Sequence, residues 1–473
     1  MWLSRLVSLW TRLRENPVSH WCVLFLVLSV TVDNHLNNAN PYARYATLQA
    51  IAEDHSLAID AYEYTTCDWA RPPNGHYYSN KAPGPTLLAA PLYLPVDAMV
   101  VAHAKDRKER DTRRKEARDA VLSYLSIALQ AIPFALVVLL AAEALKKRGA
   151  SQRAIELAAL AMLFGNTASL LMNTFFGHGM AAWFTLAIAL AMLERRLFWA
   201  GLFFGLDVLT DYGSALFLPV LGLMMAFSGP PGFAARLRQM GRFALGGLDT
   251  FLMFAAYHTY CFGGPFTLPN KYQNPVFVER GSHALWGVID LLPSWPIAKS
   301  LLFGMGRGLW ITQAWVLVLV AILAPLVWAR RLWGDRLAAI RSAVPFALGG
   351  FAVLFLMNAS FGGWHGGVCP GPRYLSAIFP VFGLALGLAY DKLPRAVRAL
   401  LWLTVLPSLV LFVLIWAGDP GIWPQHQIWV RCREVLYKFG LVSTYLRLTW
   451  IVFAFAVATV VAVLRARWAA RRD

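Results

Sequence analysis

The chain has 473 residues, of which 58% are hydrophobic and 15% charged. The apolar share exceeds the roughly half that soluble domains contain, and no stretch between the apolar runs could form an independent soluble domain, so the composition predicts a polytopic membrane protein. The net charge of +17 would suggest nucleic-acid binding in a soluble protein, but the basic residues mostly occupy short turns between apolar runs, which indicates membrane topology and no nucleic-acid partner.

The first apolar run, around residues 21–32, follows Arg5, Arg12 and Arg14 and has no small-residue cleavage site after it. This pattern predicts a retained signal anchor with a cytosolic N-terminus. Later apolar runs lie at 121–145, 155–172, 181–193, 309–328, 346–357, 375–389, 400–416 and 450–464. We therefore expect an all-α polytopic membrane protein of about 12 transmembrane helices, forming a single domain over residues 1–473 with both termini in the cytosol.

A polar loop rich in Asp, Tyr, His and Lys follows the first run, at residues 33–85. Such a loop beside a bilayer is where a membrane enzyme would carry its chemistry. We expect the first extracytoplasmic loop to cover residues 33–104, with residues 86–104 lying along the outer surface as an amphipathic or re-entrant helix. The alternative, in which they cross the membrane, leaves fewer basic turns in the cytosol. The preferred topology requires two short passes within residues 199–227 that meet near Asp211.

The outer face then collects the polar stretches 33–81, 261–307 and 358–373 and a last extracytoplasmic loop at 418–446. The cytosolic face has only short basic turns. Substrates would therefore meet the protein outside the cytosol, where nucleotide-activated donors are absent. A transferase there needs a lipid-carried donor.

Two outer segments contain a positioned cation. In NGHYYSNKAPGP, residues 74–85, the prolines prevent a regular helix and favour a rigid loop around Lys81. In GGWHGGVCPGPRYL, residues 362–375, Arg373 stands at the start of an apolar helix, and helix N-termini and arginine both favour anions. Both cations are suited to binding phosphate. A lysine attracted to lipid headgroups and an arginine that anchors a helix at the interface are the alternatives.

Several segments, taken in order, resemble the GT-C glycosyltransferases, the membrane enzymes that use polyprenyl-phosphate sugars and include lipid A aminoarabinose transferases and protein O-mannosyltransferases. The family's first outer loop is similar to ARYATLQAIAEDHSLAID followed by CDWARPPNGHYYSNKAPGPTLLAAPLY. Later landmarks of one bacterial branch are similar to LTDYGSALFLP, CFGGPFTLPNKYQNPVF, MGRGLW and GGWHGGVCPGPRYL. The likeness covers most of the chain and implies a GT-C-like bundle with membrane-surface helices in the first outer loop.

The resemblance implies a polyprenyl-phosphate sugar as donor, bound outside the cytosol. Its phosphate would be held by Lys81, Arg373 and Tyr78. The other residues expected to line the substrate site are Arg44, Tyr45, His76, His178, Trp364 and His365. For His178 and Trp364, ordinary packing at the membrane interface remains an alternative.

A loop carboxylate would act as general base on the acceptor hydroxyl. Many relatives carry an Asp, or Asp-Glu, just before the stretch corresponding to Arg44-Tyr45-Ala46, whereas this chain has Asn40-Pro41-Tyr42-Ala43 there. The base must therefore lie elsewhere, and we assign it first to Asp68 and second to Asp33. Asp60 and Glu63 are third choices.

One further carboxylate pair lies outside the polar loops. Asp207 and Asp211 are four residues apart, hence on one helical face near the membrane, and form a functional candidate by position. Asp211 could also simply mark the break between two passes.

These features predict a hexosyl- or pentosyltransferase of the bacterial inner membrane with an extracytoplasmic active site and a lipid, glycan or protein acceptor. The rivals are a non-enzymatic lipid or glycolipid transporter and a catalytically degenerate GT-C scaffold, since both fit the missing family Asp. A transporter should, however, carry polar residues through the membrane core. No Asp-x-Asp pair stands in the outer loops, so we expect no cofactor and no essential metal, although some relatives use a divalent ion.

Overall fold

A computed structural model describes residues 16, 18–31, 38–228, 232–278, 289–328, 340–367, 369 and 371–417. Two expectations fall outside the described residues: Asp33 as second candidate base, and the loop at 418–446.

The described chain is mainly helical. Its first half contains α1 (Ser19–Thr31), α2 (Ala39–Asp54), α3 (Gly84–Val101), α4 (Arg107–Ser126), α5 (Ile132–Lys147), α6 (Gln152–Leu163), α7 (Thr167–Leu171), α8 (Gly177–Leu193) and α9 (Leu197–Thr210). The second half contains α10 (Phe217–Ser228), α11 (Phe233–Phe262), α12 (Pro275–Val278), α13 (Trp295–Phe303), α14 (Leu309–Thr312), α15 (Ala314–Trp328), α16 (Ile340–Ala359), α17 (Phe379–Ala389) and α18 (Arg395–Ala417). Strands β1 (Trp69–Ala70) and β2 (Tyr78–Ser79) form a short antiparallel hairpin in the first loop.

Within the described residues, three helical segments are long and apolar enough to cross a membrane by length and composition: Gly84–Val101, Arg107–Lys147 and Arg373–Lys392. Shorter apolar helices accompany them at Ser19–Val30, Gly177–Leu193, Leu197–Thr210, Tyr212–Phe227, Ala314–Pro325 and Ala343–Ala359. A helical, membrane-type architecture is thus confirmed. The expected number of crossings stays a prediction.

Close backbone contact between α9 and α11 depends on glycine. A Cβ on Gly201 would lie 1.8 Å from the carbonyl oxygen of Phe243, and one on Gly246 would lie 1.9 Å from that of Phe198. Small residues at such crossings let apolar helices approach without a hydrophobic driving force between them. This packing places the end of α9 and the end of α11 on the side of the bundle that carries the first loop.

Helix α4, a π-helical segment (Ile127–Ala131) and α5 form one continuous rod of 41 residues. At about 1.5 Å per residue the rod is roughly 60 Å long, twice the ~30 Å thickness of a bilayer's hydrocarbon core. Its first part, residues 107–119, is strongly charged and packs beside α2 and α3. Helix α3 is itself long and apolar enough to cross a membrane, and the expected position of residues 86–104 along the outer surface stays a prediction.

The helix break expected near Asp211 is confirmed. Helix α9 ends at Thr210, Asp211 has extended backbone angles (φ −145°, ψ 115°), and the chain resumes as a 3₁₀ turn at Tyr212–Leu216.

A buried ion pair ties the three loop-side helices together. The Arg114 side chain is 2% exposed and donates two 2.8 Å hydrogen bonds to the Asp97 carboxylate. A third bond, of 2.9 Å, reaches Glu53 on α2. The Tyr93 hydroxyl also donates to Asp97, at 2.7 Å. The guanidinium of α4 is therefore neutralised by α2 and α3 at once.

We predict that Asp97→Ala lowers the free energy of unfolding by about 3–5 kcal/mol, because it leaves the Arg114 charge buried without its main partner. Thermal unfolding of the purified protein in detergent measures the effect. The control is Glu194→Ala, which removes the 2.9 Å pair between Glu194 and Arg148, where Glu194 is 38% exposed. An exposed pair contributes about 0–1 kcal/mol. Equal losses in the two variants would contradict the prediction.

Candidate active site

The β1–β2 hairpin places a carboxylate and an ammonium group next to each other. Asp68 directly precedes β1, Lys81 follows shortly after β2, and the Asn80 amide donates a 3.1 Å hydrogen bond to the Asp68 carbonyl that extends the ladder. The Lys81 ammonium lies 3.1 Å from the Asp68 carboxylate, with side-chain exposures of 21% and 9%. Burial lowers the pKa of Lys81 from its usual value of 10.5, while the Asp68 charge opposes this change. A further anion at this point would stabilise the protonated ammonium.

A distant segment holds the hairpin in place. The landmark at 261–277 runs beside β1, where the Arg71 amide donates to the Tyr272 carbonyl at 2.8 Å and the Asn274 amide donates to the Trp69 carbonyl at 3.0 Å. The Asn274 side chain also donates to the Cys67 carbonyl, at 3.1 Å. The hairpin is therefore a docked element rather than a free loop.

The start of α2 supplies a second cation. The Asn38 side chain caps the helix by accepting from the Asn40 amide at 2.9 Å. Arg44, only 3% exposed, donates to the Asn40 carbonyl at 3.2 Å and also to the Asn40 side-chain oxygen. Burial lowers the pKa of Arg44 to about 10, against the effect of Asp68 and Asp211. Asn40 thus contacts Arg44 and begins the stretch 40–43 in which the resemblance led us to expect an acid.

Two glycine-rich landmarks position the third cation. Gly366 has φ +69°, and a Cβ there would lie 2.8 Å from Nε of Arg373. Arg307 donates hydrogen bonds to the carbonyls of His365 and Gly367 and so fixes the same loop. The Arg373 guanidinium also lies 5.0 Å from the centre of the Tyr374 ring. The MGRGLW and GGWHGG segments therefore act together on Arg373.

Asp211 and His178 form a second acid–base pair. Nδ1 of His178 is hydrogen-bonded to the Asp211 carboxylate, which also accepts from the Gly213 amide at 3.1 Å. A carboxylate on Nδ1 selects the tautomer in which Nε2 is the acceptor nitrogen. Asp207 is separated from this pair: it is fully buried and accepts from Thr185 at 2.7 Å and Ser214 at 2.8 Å.

Most of these groups surround one cavity of about 550 Å³, whereas Asp207 and Arg307 do not line it. Its ionisable lining residues are Arg44, Asp68, Lys81, His178, Asp211, His365 and Arg373, with the phenols of Tyr212 and Tyr374. Cations outnumber carboxylates, so the cavity is suited to an anion.

Six of the predicted site residues lie on this cavity: Arg44, Asp68, Lys81, His178, His365 and Arg373. Four others point elsewhere among the described residues. Tyr78 is 3% exposed and packs with Tyr257 and Phe262 in a small apolar cluster. Trp364 packs against the cluster of Ala298, Leu301 and Ala359.

Tyr45 and His76 are the other two predicted site residues that do not line the cavity. Tyr45 donates from its hydroxyl to the Arg114 carbonyl at 2.9 Å, on the far side of α2. His76 lies at the exposed turn of the hairpin, with Nδ1 2.6 Å from Asp60. Side chains alternate between the two faces of a strand, and Tyr78 on β2 therefore points to the apolar cluster. His76 lies in the turn, at the end of the hairpin remote from Lys81.

Sequence reasoning missed two groups. Asn38 and Asn40 line the cavity, and the helix-capping pattern before ARYA could have located them. The partnership of His178 with Asp211 joins positions 33 residues apart, which no local spacing indicates. The described residues contain no group of three or more His, Cys, Asp or Glu that could hold a metal ion. Metal independence stays a prediction.

No family model and no curated protein matches the chain. Among solved structures, it is similar to the oligosaccharyltransferase AglB of Archaeoglobus fulgidus in complex with an inhibitory peptide and a dolichol-phosphate. The TM-score is 0.51 at 13% identity over 86% of this chain. An apo oligosaccharyltransferase of the same organism gives 0.45 at 13% identity over 85% of this chain. The chain spans 56% of the length of each. Since AglB is a GT-C glycosyltransferase, the expected GT-C resemblance is confirmed at the level of the fold.

We predict that Gly366→Ala weakens anion binding in the cavity, whereas Gly367→Ala does not. Both glycines have positive φ, at +69° and +67°, so both alanines should cost about 1–2 kcal/mol of backbone strain. Only the Gly366 substitution places a methyl group against Arg373, since nothing lies within 4 Å of a Cβ at Gly367. Calorimetric binding of a polyprenyl phosphate, together with thermal unfolding, separates the two effects. Equal loss of binding in both variants would refute this positioning of Arg373.

Proposed function

We propose that the protein is a membrane glycosyltransferase that transfers a hexosyl or pentosyl group from a polyprenyl-phosphate donor to a lipid, glycan or protein acceptor. The observation that carries the proposal is the single cavity in which Arg44, Lys81 and Arg373 lie together with Asp68 and Asp211. The fold likeness to an oligosaccharyltransferase supports it. The complex of AglB with a dolichol-phosphate and an inhibitory peptide makes a lipid-linked donor the natural candidate here. We place the protein in the bacterial inner membrane with the cavity on the extracytoplasmic face.

The three cations act on the donor phosphate. Lys81 supplies a compact charge, and the two arginines supply planar donors that suit phosphate oxygens. Nε atoms of both Arg44 and Arg373 are buried without a hydrogen-bond partner among the described residues. A phosphate entering the cavity would give these groups an acceptor. As the bond between the sugar C1 and the phosphate oxygen breaks, the same cations stabilise the charge on the leaving polyprenyl phosphate.

Asp68 is the proposed general base. Its carboxylate is paired with the Lys81 ammonium at 3.1 Å, and a donor phosphate would compete for that ammonium. Asp68 is then available to take the proton of the acceptor hydroxyl as its oxygen attacks C1. Binding of the donor and activation of the base are thereby coupled through Lys81.

His178, oriented by Asp211, is the rival base on the same cavity. Its acceptor nitrogen needs no release from a cation, because Asp211 bonds to the opposite ring nitrogen. Substitution of the two residues one at a time distinguishes them.

A transporter remains the candidate from another class, supported by the same cations and by the absence of an acid in residues 40–43. It predicts donor binding without turnover. Release of polyprenyl phosphate from a panel of polyprenyl-phosphate sugars, measured with an acceptor lipid extract, tests the choice.

We predict that Asp68→Asn lowers kcat by roughly 10²–10⁴-fold with little change in donor KM. The matched control is Asp60→Asn, an exposed acid in the same loop that pairs with His76. A rate that is retained in Asp68→Asn and abolished by His178→Gln would assign the base to His178 instead.

We predict that Lys81→Gln raises the donor KM by roughly 10–100-fold, because a hydrogen bond to a charged group contributes about 1.5–3 kcal/mol. Steady-state kinetics with varied donor measures this. Lys271→Gln is the control, since Lys271 is an exposed lysine near the hairpin whose ammonium lies 5.3 Å from the Tyr272 ring and does not line the cavity. An unchanged KM in Lys81→Gln would remove Lys81 from the donor site.

A further inference from the structure

A second cavity, of about 700 Å³, lies between α2 and α4. It is closed on one side by the segment around Tyr62 and Thr65 in the first loop. We call it the α2–α4 cleft. Its α2 wall is formed by Tyr42, Tyr45 and Gln49. We call the 550 Å³ cavity, where we propose that the sugar donor binds, the donor cavity. The cleft shares no lining residue with it, because the two open on different faces of α2.

The α4 wall of the cleft is cationic. Lys108, Lys115 and Arg118 line it together with Arg107 and Asp111. Arg107 is paired with Asp54 at 2.9 Å. Lys108 and Lys115 have no acidic partner within the part of the chain that the structure describes. The wall therefore offers two uncompensated ammonium groups to a ligand.

The α2 wall offers neutral hydrogen-bonding groups. Gln49 is 6% exposed and lines the cleft. Its amide can both donate to and accept from a ligand in the cleft. Tyr42 presents its ring to the Arg118 guanidinium at 3.8 Å and so fixes that cation at the mouth. An amide, phenols and ammonium groups together suit a ligand that combines an anion with hydroxyl groups.

The position of the cleft favours a lipid. The charged part of α4 ends at Asp119, and the same helix continues into the apolar sequence from Val121. Further along, Ile132, Leu136 and Leu140 expose 41%, 47% and 51% of their surface at four-residue spacing, as expected of a helix that contacts acyl chains. The cleft is therefore at the level of lipid headgroups, where lysine and tyrosine are favoured.

We propose that the α2–α4 cleft binds the headgroup of an anionic phospholipid, with Lys108 and Lys115 on the phosphodiester and Gln49 on headgroup hydroxyls. The site is distinct from the donor cavity and does not require the proposed transferase activity. A bound headgroup would link α2 to α4 in addition to the Glu53–Arg114 contact. Loss of the lipid should therefore lower the unfolding temperature of the whole protein.

The test uses the full-length protein in detergent, stripped of lipid, with phosphatidylglycerol or phosphatidylcholine of identical acyl chains added. Phosphatidylglycerol should raise the unfolding temperature and phosphatidylcholine should not. In the Lys108→Gln/Lys115→Gln variant the affinity for phosphatidylglycerol should fall roughly thirty-fold, since each lysine near an anionic lipid contributes a factor of about five. Gln49→Leu, which leaves the charge unchanged, should also weaken binding.

The control is Lys146→Gln/Lys147→Gln, which removes the same charge from exposed lysines at the other end of the rod. It should retain the affinity for phosphatidylglycerol. Equal losses in the two double variants, or equal stabilisation by the two lipids, would overturn the proposal. Glycerol phosphate or inorganic phosphate that stabilised the protein as strongly as the lipid would show a soluble anion site and would likewise overturn it.

Discussion

Repulsion between Arg44, Lys81 and Arg373 is the constraint that organises the site. Like charges in a confined space of low dielectric repel strongly, and each buried cation also loses hydration. Burial lowers the pKa of both Arg44 and Lys81, whereas the neighbouring carboxylates oppose this change. Asp68 and Asp211 therefore stabilise the buried cations, in addition to any role in catalysis. Because cations remain in excess, the cavity is most stable when it contains an additional anion.

Segments far apart in the chain maintain this arrangement. The hairpin holds Lys81 against Asp68, the α2 cap fixes Arg44 through Asn40, and the GGWHGG loop fixes Arg373. Other landmarks hold these segments in turn: the Arg307 side chain donates hydrogen bonds to the carbonyls of the glycine loop. The landmarks that resemble the GT-C pattern thus converge on one cavity.

The sequence allowed the helical class, the break at Asp211 and most of the charged lining to be predicted. Those features follow from local signals: apolar runs, a polar interruption in an apolar helix, and isolated cations beside prolines or glycines. The four predicted residues that do not line the cavity were assigned to it wrongly for another reason, namely the direction of their side chains. Tyr45 and Tyr78 are adjacent or close in sequence to true lining residues, but one helical step of about 100° or one strand step turns the side chain to another face. Proximity in sequence could not resolve that difference without the register. The His178–Asp211 pair depends on how α8 and the end of α9 pack, which is a tertiary property.

Helix α2 separates two chemically different compartments, and this has a consequence for how the site is maintained. Arg44 and Tyr45 are consecutive residues, yet the first lines the 550 Å³ cavity and the second lines the α2–α4 cleft. Any force that shifts α2 along or about its axis therefore acts on both. The Glu53 end of the helix is fixed by Arg110 and Arg114, whereas the Asn38 end is fixed by its cap. Between these two points, Tyr42 and Tyr45 contact α4 at Arg118 and at the Arg114 carbonyl. A ligand in the cleft would add a further contact to this part of α2, and the proposed lipid would thereby couple the composition of the surrounding bilayer to the position of Arg44.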